Sequence, residues 1–224
     1  GGRRNAGVDA SVATTFSNYA RPEWVQPDDR LGVALRPGIE QVAAGYVAYG
    51  SSTMFVFSTG NGVNGFTLDP GIGEFLLTHP DLRIPDHGAR YSINEADRED
   101  FAPELRDFLG WLKRTDPETG SRIRSRYIGS FVSDFHRNLL TGGIYMYPAT
   151  ADHPEGKLRL MYEANPMAYL VEQAGGRASD GHRRILDLNP DALHQRTPLF
   201  IGSAPLVEAA AAFLQGREAE VTAR

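Results

Sequence analysis

Lys157, Arg159 and Glu163 put two cations and a carboxylate into the short run KLRLMYE, ahead of ANPMAYLVEQAGG. Ammonium and guanidinium groups make charge-assisted bonds to phosphoryl oxygens, so such a set can grip an anionic ligand if the chain keeps it on one face. A strand would do so, because its side chains alternate between faces. An extended 157–163 places Lys157, Arg159, Met161 and Glu163 on one side and Leu158, Leu160 and Tyr162 on the other. Asn165 then reads as a helix N-cap, Pro166 as the first helical residue, and Gly175 and Gly176 as the stop. Met167, Leu170, Val171 and Ala174 fall at i, i+3, i+4 and i+7, the stripe of a buried helix face. Glu163 is thus expected at the carboxyl end of a strand and just before a helix, where open α/β sheets take their ligands. A half-exposed strand of solvated ion pairs would carry the same residues.

Arg122, Arg124 and Arg126 form a second basic group. In a chain of net charge −5, their gathering with Lys157 and Arg159 would suit a phosphate; a solvated loop after the linker around Pro117 and Gly120 is the other reading. Tyr127, Tyr145, Tyr147 and Tyr162 can each pack a ring and offer a hydroxyl to an anion, or simply serve the core or an interface. The histidines, at 79, 87, 136, 153, 182 and 194, show no metal-ligand pair. No P-loop, dinucleotide glycine fingerprint or nucleophile elbow is present, so kinase, dehydrogenase and serine-hydrolase readings find no support. The absence of cysteine excludes a disulfide scaffold, a thiolate zinc site and a cysteine nucleophile together. The acidic balance argues against nucleic-acid binding, and no apolar run approaches the ~18 residues of a membrane span.

These residues need elements to hold them. With 224 residues, 41% hydrophobic and 23% charged, the chain has ordinary globular composition and length for one large domain or two small ones. A strand is expected within 8–19. GYVAYG, TMFVFST, GFTLD and EFLLTH are four short β runs parted by glycine and proline, and Asn61-Gly62 signals a hairpin. Beyond residue 84 the pattern alternates. Phe101, Leu105, Phe108, Leu109 and Leu112 have helical spacing, as do Val132, Phe135 and Leu139 after a Ser130 cap. IYMYP, KLRLMYE, RILDL and PLFIG read as strands, and 204–215 as a closing helix with Leu206, Val207, Ala210, Phe213 and Leu214 inward. The expected fold is α/β: an antiparallel, β-rich first part (1–83) and a mixed α/β second part (84–224).

The blocks EQVAAGYVAYGSSTMFVFSTGNGVNGFTLDPGIGEFLLTHP, YSINE, SRYIGSFVSDFHRNLLTGGIYMYPA, GKLRLMYEANPMAYLVEQAGG and LHQRTPLFIGS, in this order, resemble the class I fructose-1,6-bisphosphatases across nearly the whole chain. The resemblance implies a layered α-β-α-β-α fold and a cytoplasmic homotetramer. It also implies hydrolysis of the 1-phosphate of fructose 1,6-bisphosphate, dependent on Mg2+ with Mn2+ as the alternative, in gluconeogenic or Calvin-type sugar metabolism. Carried over by residue, Asn94, Tyr127, Tyr147 and Lys157 would bind the 6-phosphate, and Arg126 would reach the neighbouring subunit's site. Tyr145 and Met146 would lie beside the sugar, Arg159 near sugar and metal, and Glu163 would be a metal ligand.

The family's Asp-Pro-Leu-Asp-Gly-Ser-Ser metal loop should precede the strand near Val12. Aligned backwards, Asn5 matches its asparagine, but Gly1 stands at the second aspartate and Arg3 and Arg4 at the two serines; Phe131 replaces a methionine. The start GGRRNAGVDASVATTFSNYA has no initial methionine and no apolar signal-peptide core. The expectation is therefore a family member lacking the N-terminal portion, its water-activating carboxylates and its AMP site, and inactive alone. A sedoheptulose-1,7-bisphosphatase and a non-catalytic sugar-phosphate-binding or oligomerisation module are the alternatives.

Overall fold

Period-two runs build the first sheet. β1 (Val12–Tyr19), β2 (Gln41–Tyr49), β3 (Thr53–Ser58), β4 (Asn64–Asp69) and β5 (Glu74–His79) pair antiparallel in that spatial order, the expected meander. The computed structural model describes residues 12–21, 32, 35–116, 120 and 122–217; the expectations for Gly1, Arg3, Arg4 and Asn5 fall outside this set. Alternation sends Ala44, Tyr46, Met54 and Val56 into the core. It leaves Phe16, Phe55, Phe57 and Phe66 on the other face, with neighbouring ring centroids between 4.9 and 6.1 Å apart. Gly45 pairs with Phe16, and a Cβ there would stand 2.5 Å from the ring's Cζ, so the missing side chain is what lets the ring lie over the sheet. Asn61-Gly62 does close β3 onto β4, in a loop where Gly60 and Gly62 take φ of 95° and 81°.

The second part follows as β6 (Arg90–Ser92), α1 (Pro103–Lys113), β7 (Arg124–Ser125), α2 (Phe131–Thr141), β8 (Ile144–Tyr147), β9 (Leu158–Arg159), α3 (Asn165–Gln173), β10 (Arg177–Ser179), β11 (Arg196–Thr197), β12 (Leu199–Gly202) and α4 (Ala204–Leu214). Its sheet has the order β10-β12-β8-β6-β7, with β6 parallel to both neighbours and the other pairs antiparallel. β9 and β11 form a separate antiparallel ladder. α1 and α4 cover one face, where Leu105, Phe108 and Leu112 pack with Leu206, Val207 and Phe200. α2 and α3 fill the space between the two sheets. Phe135, Leu139, Met167, Leu170 and Val171 there share a core with Ala44, Tyr46 and Val56 of the meander. Each such fully buried side chain contributes about 1.5–3 kcal/mol over exposure, so these two helices hold the sheets together. The layers run helix, sheet, helix, sheet, an α/β fold.

Two expected strands are not strands. KLRLMYE is extended only at Leu158–Arg159; Leu160–Ala164 winds into a π-helical turn, with the Asn165 N–H on the Leu160 carbonyl, and runs on into α3. The ladder ends because its partner turns away: Leu160 N–H still reaches the Gln195 carbonyl (2.8 Å), but the Gln195 N–H is drawn back to Ala192 (3.1 Å). Without a partner, backbone groups must be satisfied locally. Burial of Leu160, Met161 and Ala164 then follows a helix rather than an alternation. Met161 therefore joins the core and Tyr162 is exposed, opposite to the strand reading. Asn165 is likewise not an N-cap: it is the first residue of α3, preceded by a helical Ala164, and its buried amide points at Tyr19 Oη (3.5 Å) and Met161 Sδ (3.9 Å). RILDL forms a 3-10 turn, Ile185–Asp187, because Ile185, Leu186 and Leu188 are all buried and no single strand face could bury them.

Candidate functional site

The sequence's candidate residues border a cleft of about 690 Å3, walled by the start of β1, the entry to α2, the end of β8 and the β9 turn. Tyr127, Tyr145, Tyr147, Lys157, Arg159 and Glu163 line it. The alternation of β8 aims Tyr145 and Tyr147 to the α2 side and Met146 into the core beneath α1. Lys157 is placed by the residue before it: Gly156 has φ 74°, and a Cβ there would lie 2.5 Å from the Thr197 carbonyl oxygen. Lys157 is exposed, its Nζ 6.0 Å from the centre of the Tyr147 ring. Glu163 folds back over its own strand, and its Oε2 accepts from the Arg159 N–H at 2.7 Å. Arg159 Nη1 in turn donates to the Lys157 carbonyl at 3.2 Å. Lys157, Arg159 and Glu163 thus share a cleft through a turn, not through strand alternation.

Beside the cleft lies a narrow crevice lined by Asn94, Tyr127, Met146, Tyr147 and Lys157. Asn94 follows β6 and caps the next 3-10 turn, its Oδ1 accepting from Ala96 N–H (3.4 Å) while its Nδ2 donates to Asp97 (3.0 Å). Burial above all, with smaller contributions from Tyr147, Asp134 and Asp97, raises the Tyr127 pKa. Burial raises that of Tyr145 well above its usual value. Both hydroxyls therefore stay protonated at neutral pH and can donate to an anion. Asn94, Tyr127, Tyr147 and Lys157 are brought together; the arginine group is not. Arg126 is exposed and lines neither cavity, its N–H and carbonyl being taken by Tyr91 and Arg137. Arg122 donates to Thr115, and Arg124 also lies outside both linings.

Sequence reasoning missed His153 and Arg196 in the cleft. Arg196 stands opposite Arg159 in the β9–β11 pair, an adjacency that only strand pairing creates. Thr15 was also unforeseen; its hydroxyl donates to the Tyr162 carbonyl at 2.7 Å and ties the π turn to β1.

Among the described residues lining the cleft, Glu163 is the one carboxylate, and no group of three or more His, Cys, Asp or Glu is placed to hold a metal. Magnesium demands near-octahedral oxygen ligation. A single carboxylate with one oxygen already hydrogen-bonded does not fit a complete divalent-metal centre.

The profile of the fructose-1,6-bisphosphatase N-terminal domain matches residues 1–80, and that of the C-terminal domain residues 84–215. A class 1 fructose-1,6-bisphosphatase of Salinibacter ruber is 78% identical over 219 residues, covering 98% of this chain and 62% of the relative. One from Chlorobaculum tepidum is 55% identical, covering 96% and 65%. The solved T-state structure of Leishmania major fructose-1,6-bisphosphatase superposes with a TM-score of 0.91 at 43% identity, over 96% of this chain and 68% of that one. The chain spans about three-fifths of the length of the curated relatives it matches. No described helix is long and apolar enough to cross a membrane.

Proposed function

This chain belongs to the fructose-1,6-bisphosphatase family, and from that premise we propose that it supplies the sugar-phosphate grip of a phosphatase hydrolysing the 1-phosphate of fructose 1,6-bisphosphate. The observation carrying this is the convergence of Asn94, Tyr127, Tyr147 and Lys157 on one crevice that opens beside the cleft. In this reading the Lys157 ammonium neutralises the 6-phosphate, the two tyrosine hydroxyls donate to its oxygens, and Asn94 closes the crevice. Tyr145 and Met146 occupy the strand positions beside the sugar, Tyr145 facing the cleft and Met146 the core beneath α1. The reacting phosphate then lies towards Arg159 and Glu163. Gripping the phosphate that does not react uses binding energy to orient the one that does.

A divalent metal, magnesium or alternatively manganese, would supply charge neutralisation at the reacting phosphate, and Glu163 would hold it as one ligand, the described cleft residues offering no second carboxylate. Arg126 serves a neighbouring subunit's site in a homotetramer, the division between the two parts falls at residues 83 and 84, and the compartment is the cytoplasm. The test is calorimetric titration of fructose 6-phosphate and of fructose 1-phosphate, which lacks the gripped group, into the chain. The expected result is a strong preference for fructose 6-phosphate that Lys157→Ala largely abolishes. Equal affinity for both would overturn the assignment of the crevice.

A further inference from the structure

An ion pair in the opening turns of α2 borders the site without lining it. Asp134 is fully buried, and the Arg137 side chain is only 22% exposed. Burying two charges is costly unless their remaining lone pairs and protons are satisfied, so the partners of this pair indicate what it holds. The Asp134 carboxylate accepts from the N–H of Ile128 at 3.0 and 3.2 Å, from that of Gly129 at 3.2 Å, and from Arg137 Nη1 at 3.0 Å. Arg137 Nη2 donates to Ser92 Oγ at 2.6 Å, to the Arg126 carbonyl at 3.2 Å and to Asn138 Oδ1 at 3.1 Å.

Arg126, Ile128 and Gly129 flank Tyr127, and Ser92 lies two positions before Asn94. The pair therefore fastens the backbone on both sides of Tyr127 and the strand that leads into Asn94. The other backbone bond on this stretch is that of the Arg126 N–H to the Tyr91 carbonyl at 2.8 Å; Arg126, Ile128 and Gly129 are exposed, and Gly129 sits at φ 84°. α2 itself is anchored, with Phe135 and Leu139 in the core between the sheets.

We infer that Asp134 and Arg137 are positioning residues: they set the backbone from Arg126 to Ser130, and with it the reach of the Tyr127 hydroxyl, without touching substrate. The inference rests on the reading of Asn94, Tyr127, Tyr147 and Lys157 as the sugar-phosphate grip. A carboxylate in the first turn of a helix suits the positive end of its dipole. A planar guanidinium can serve several acceptors in fixed directions, which a lysine ammonium cannot. Losing that fork would release the Arg126 carbonyl and Ser92 together.

The test is calorimetric titration of fructose 6-phosphate into the chain and its variants, with thermal melts to confirm folding. Arg137→Lys keeps the charge and loses the fork; binding is expected to weaken roughly tenfold, the scale of one displaced phosphate hydrogen bond. The decisive readout is the double variant. Tyr127→Phe is expected to weaken the parent roughly tenfold as well, yet to add less than about twofold on the Arg137→Lys background, because the hydroxyl is already out of place. A full-sized Tyr127→Phe effect on that background would overturn the proposal. Ser92→Ala removes one acceptor and keeps the ion pair; it is expected to weaken binding about threefold, and it carries the test if Arg137→Lys does not fold. Lys157→Ala separates the two readings. If it leaves affinity unchanged, the grip itself is wrong; if it weakens binding while Arg137→Lys and Ser92→Ala do not, the positioning role alone is wrong.

Discussion

Removing one oxygen, by Tyr46→Phe, probes the joint between the meander and the second sheet. Tyr46 on β2 is fully buried, and its hydroxyl stands 2.6 Å from His136 Nδ1 on α2. The ring packs edge-on to Phe135 and to His136 at 5.9 and 5.8 Å, contacts that phenylalanine keeps. The loss is thus the hydrogen bond and a stranded imidazole nitrogen. A buried group left unsatisfied costs about 1–3 kcal/mol, and partial exposure of His136 favours the lower end, ~1–2 kcal/mol. At about 2–4 °C per kcal/mol for a chain of this size, the melting temperature should fall by roughly 2–8 °C at pH 8. The pH dependence has a definite sign. Burial, and secondarily the charge of His79, lowers the His136 pKa, so its folded value lies below the unfolded ~6.5. The stability contributed by neutral His136 is complete above about pH 6.5 and is lost as pH falls through the folded value. In the tautomer that carries its proton on Nε2, protonation of Nδ1 also removes the lone pair that accepts from the Tyr46 hydroxyl. The gap between wild type and Tyr46→Phe should therefore shrink from pH 8 to pH 5. Melts followed by circular dichroism at both pH values check this, and a gap that is absent at pH 8, or that widens at pH 5, would refute the reasoning.

Two further outcomes are expected. Lys157→Ala should weaken fructose 6-phosphate binding by about 1–2 kcal/mol, a charge-assisted bond discounted for its exposure, and Tyr147→Phe, which keeps the ring beside Lys157, by less; calorimetry reads both, and an unchanged Kd for Lys157→Ala refutes the grip. Gly156→Ala would force a side chain into φ 74° and against the Thr197 carbonyl, so the melting temperature should drop by several degrees, and an unchanged melt would show that β9 and β11 can part without cost.

The meander was legible because its turns carry glycine, asparagine and proline and β3 buries every second residue, Met54, Val56 and Ser58; both signals are local. α3 was legible from its stripe, since Met167, Leu170 and Val171 must all face inward whatever precedes them. The β9 turn was not. K-L-R-L alternates as a strand does, and what ends the strand is the Gln195 N–H turning away, an event on a segment distant in sequence. The gripping residues were named from family resemblance rather than from spacing, because Asn94, Tyr127, Tyr147 and Lys157 meet only after β6, β8 and β9 are assembled. Arg196 shows the limit plainly. Nothing near it in sequence points to Arg159, and the pairing that joins them consists of two residues on each side.

The misread turn also explains how the site can exist at all. Had 157–163 remained extended, Lys157 and Glu163 would have shared a face but stood roughly 20 Å apart, at ~3.3 Å per residue. That separation would spread the ammonium and the carboxylate along a sheet surface rather than around one small molecule. The π turn shortens the path and returns the carboxylate to the beginning of its own strand, with Glu163 Oε2 at 2.7 Å from the Arg159 N–H. Wide turns of this kind are uncommon and recur at functional positions. Here the turn is held from two sides, by Thr15 of the meander on the Tyr162 carbonyl and by Leu160, Met161 and Ala164 in the core. The carboxylate's position thus depends on the first sheet as well as the second, and loosening β1 should displace Glu163 while leaving Asn94, Tyr127 and Tyr147 in place.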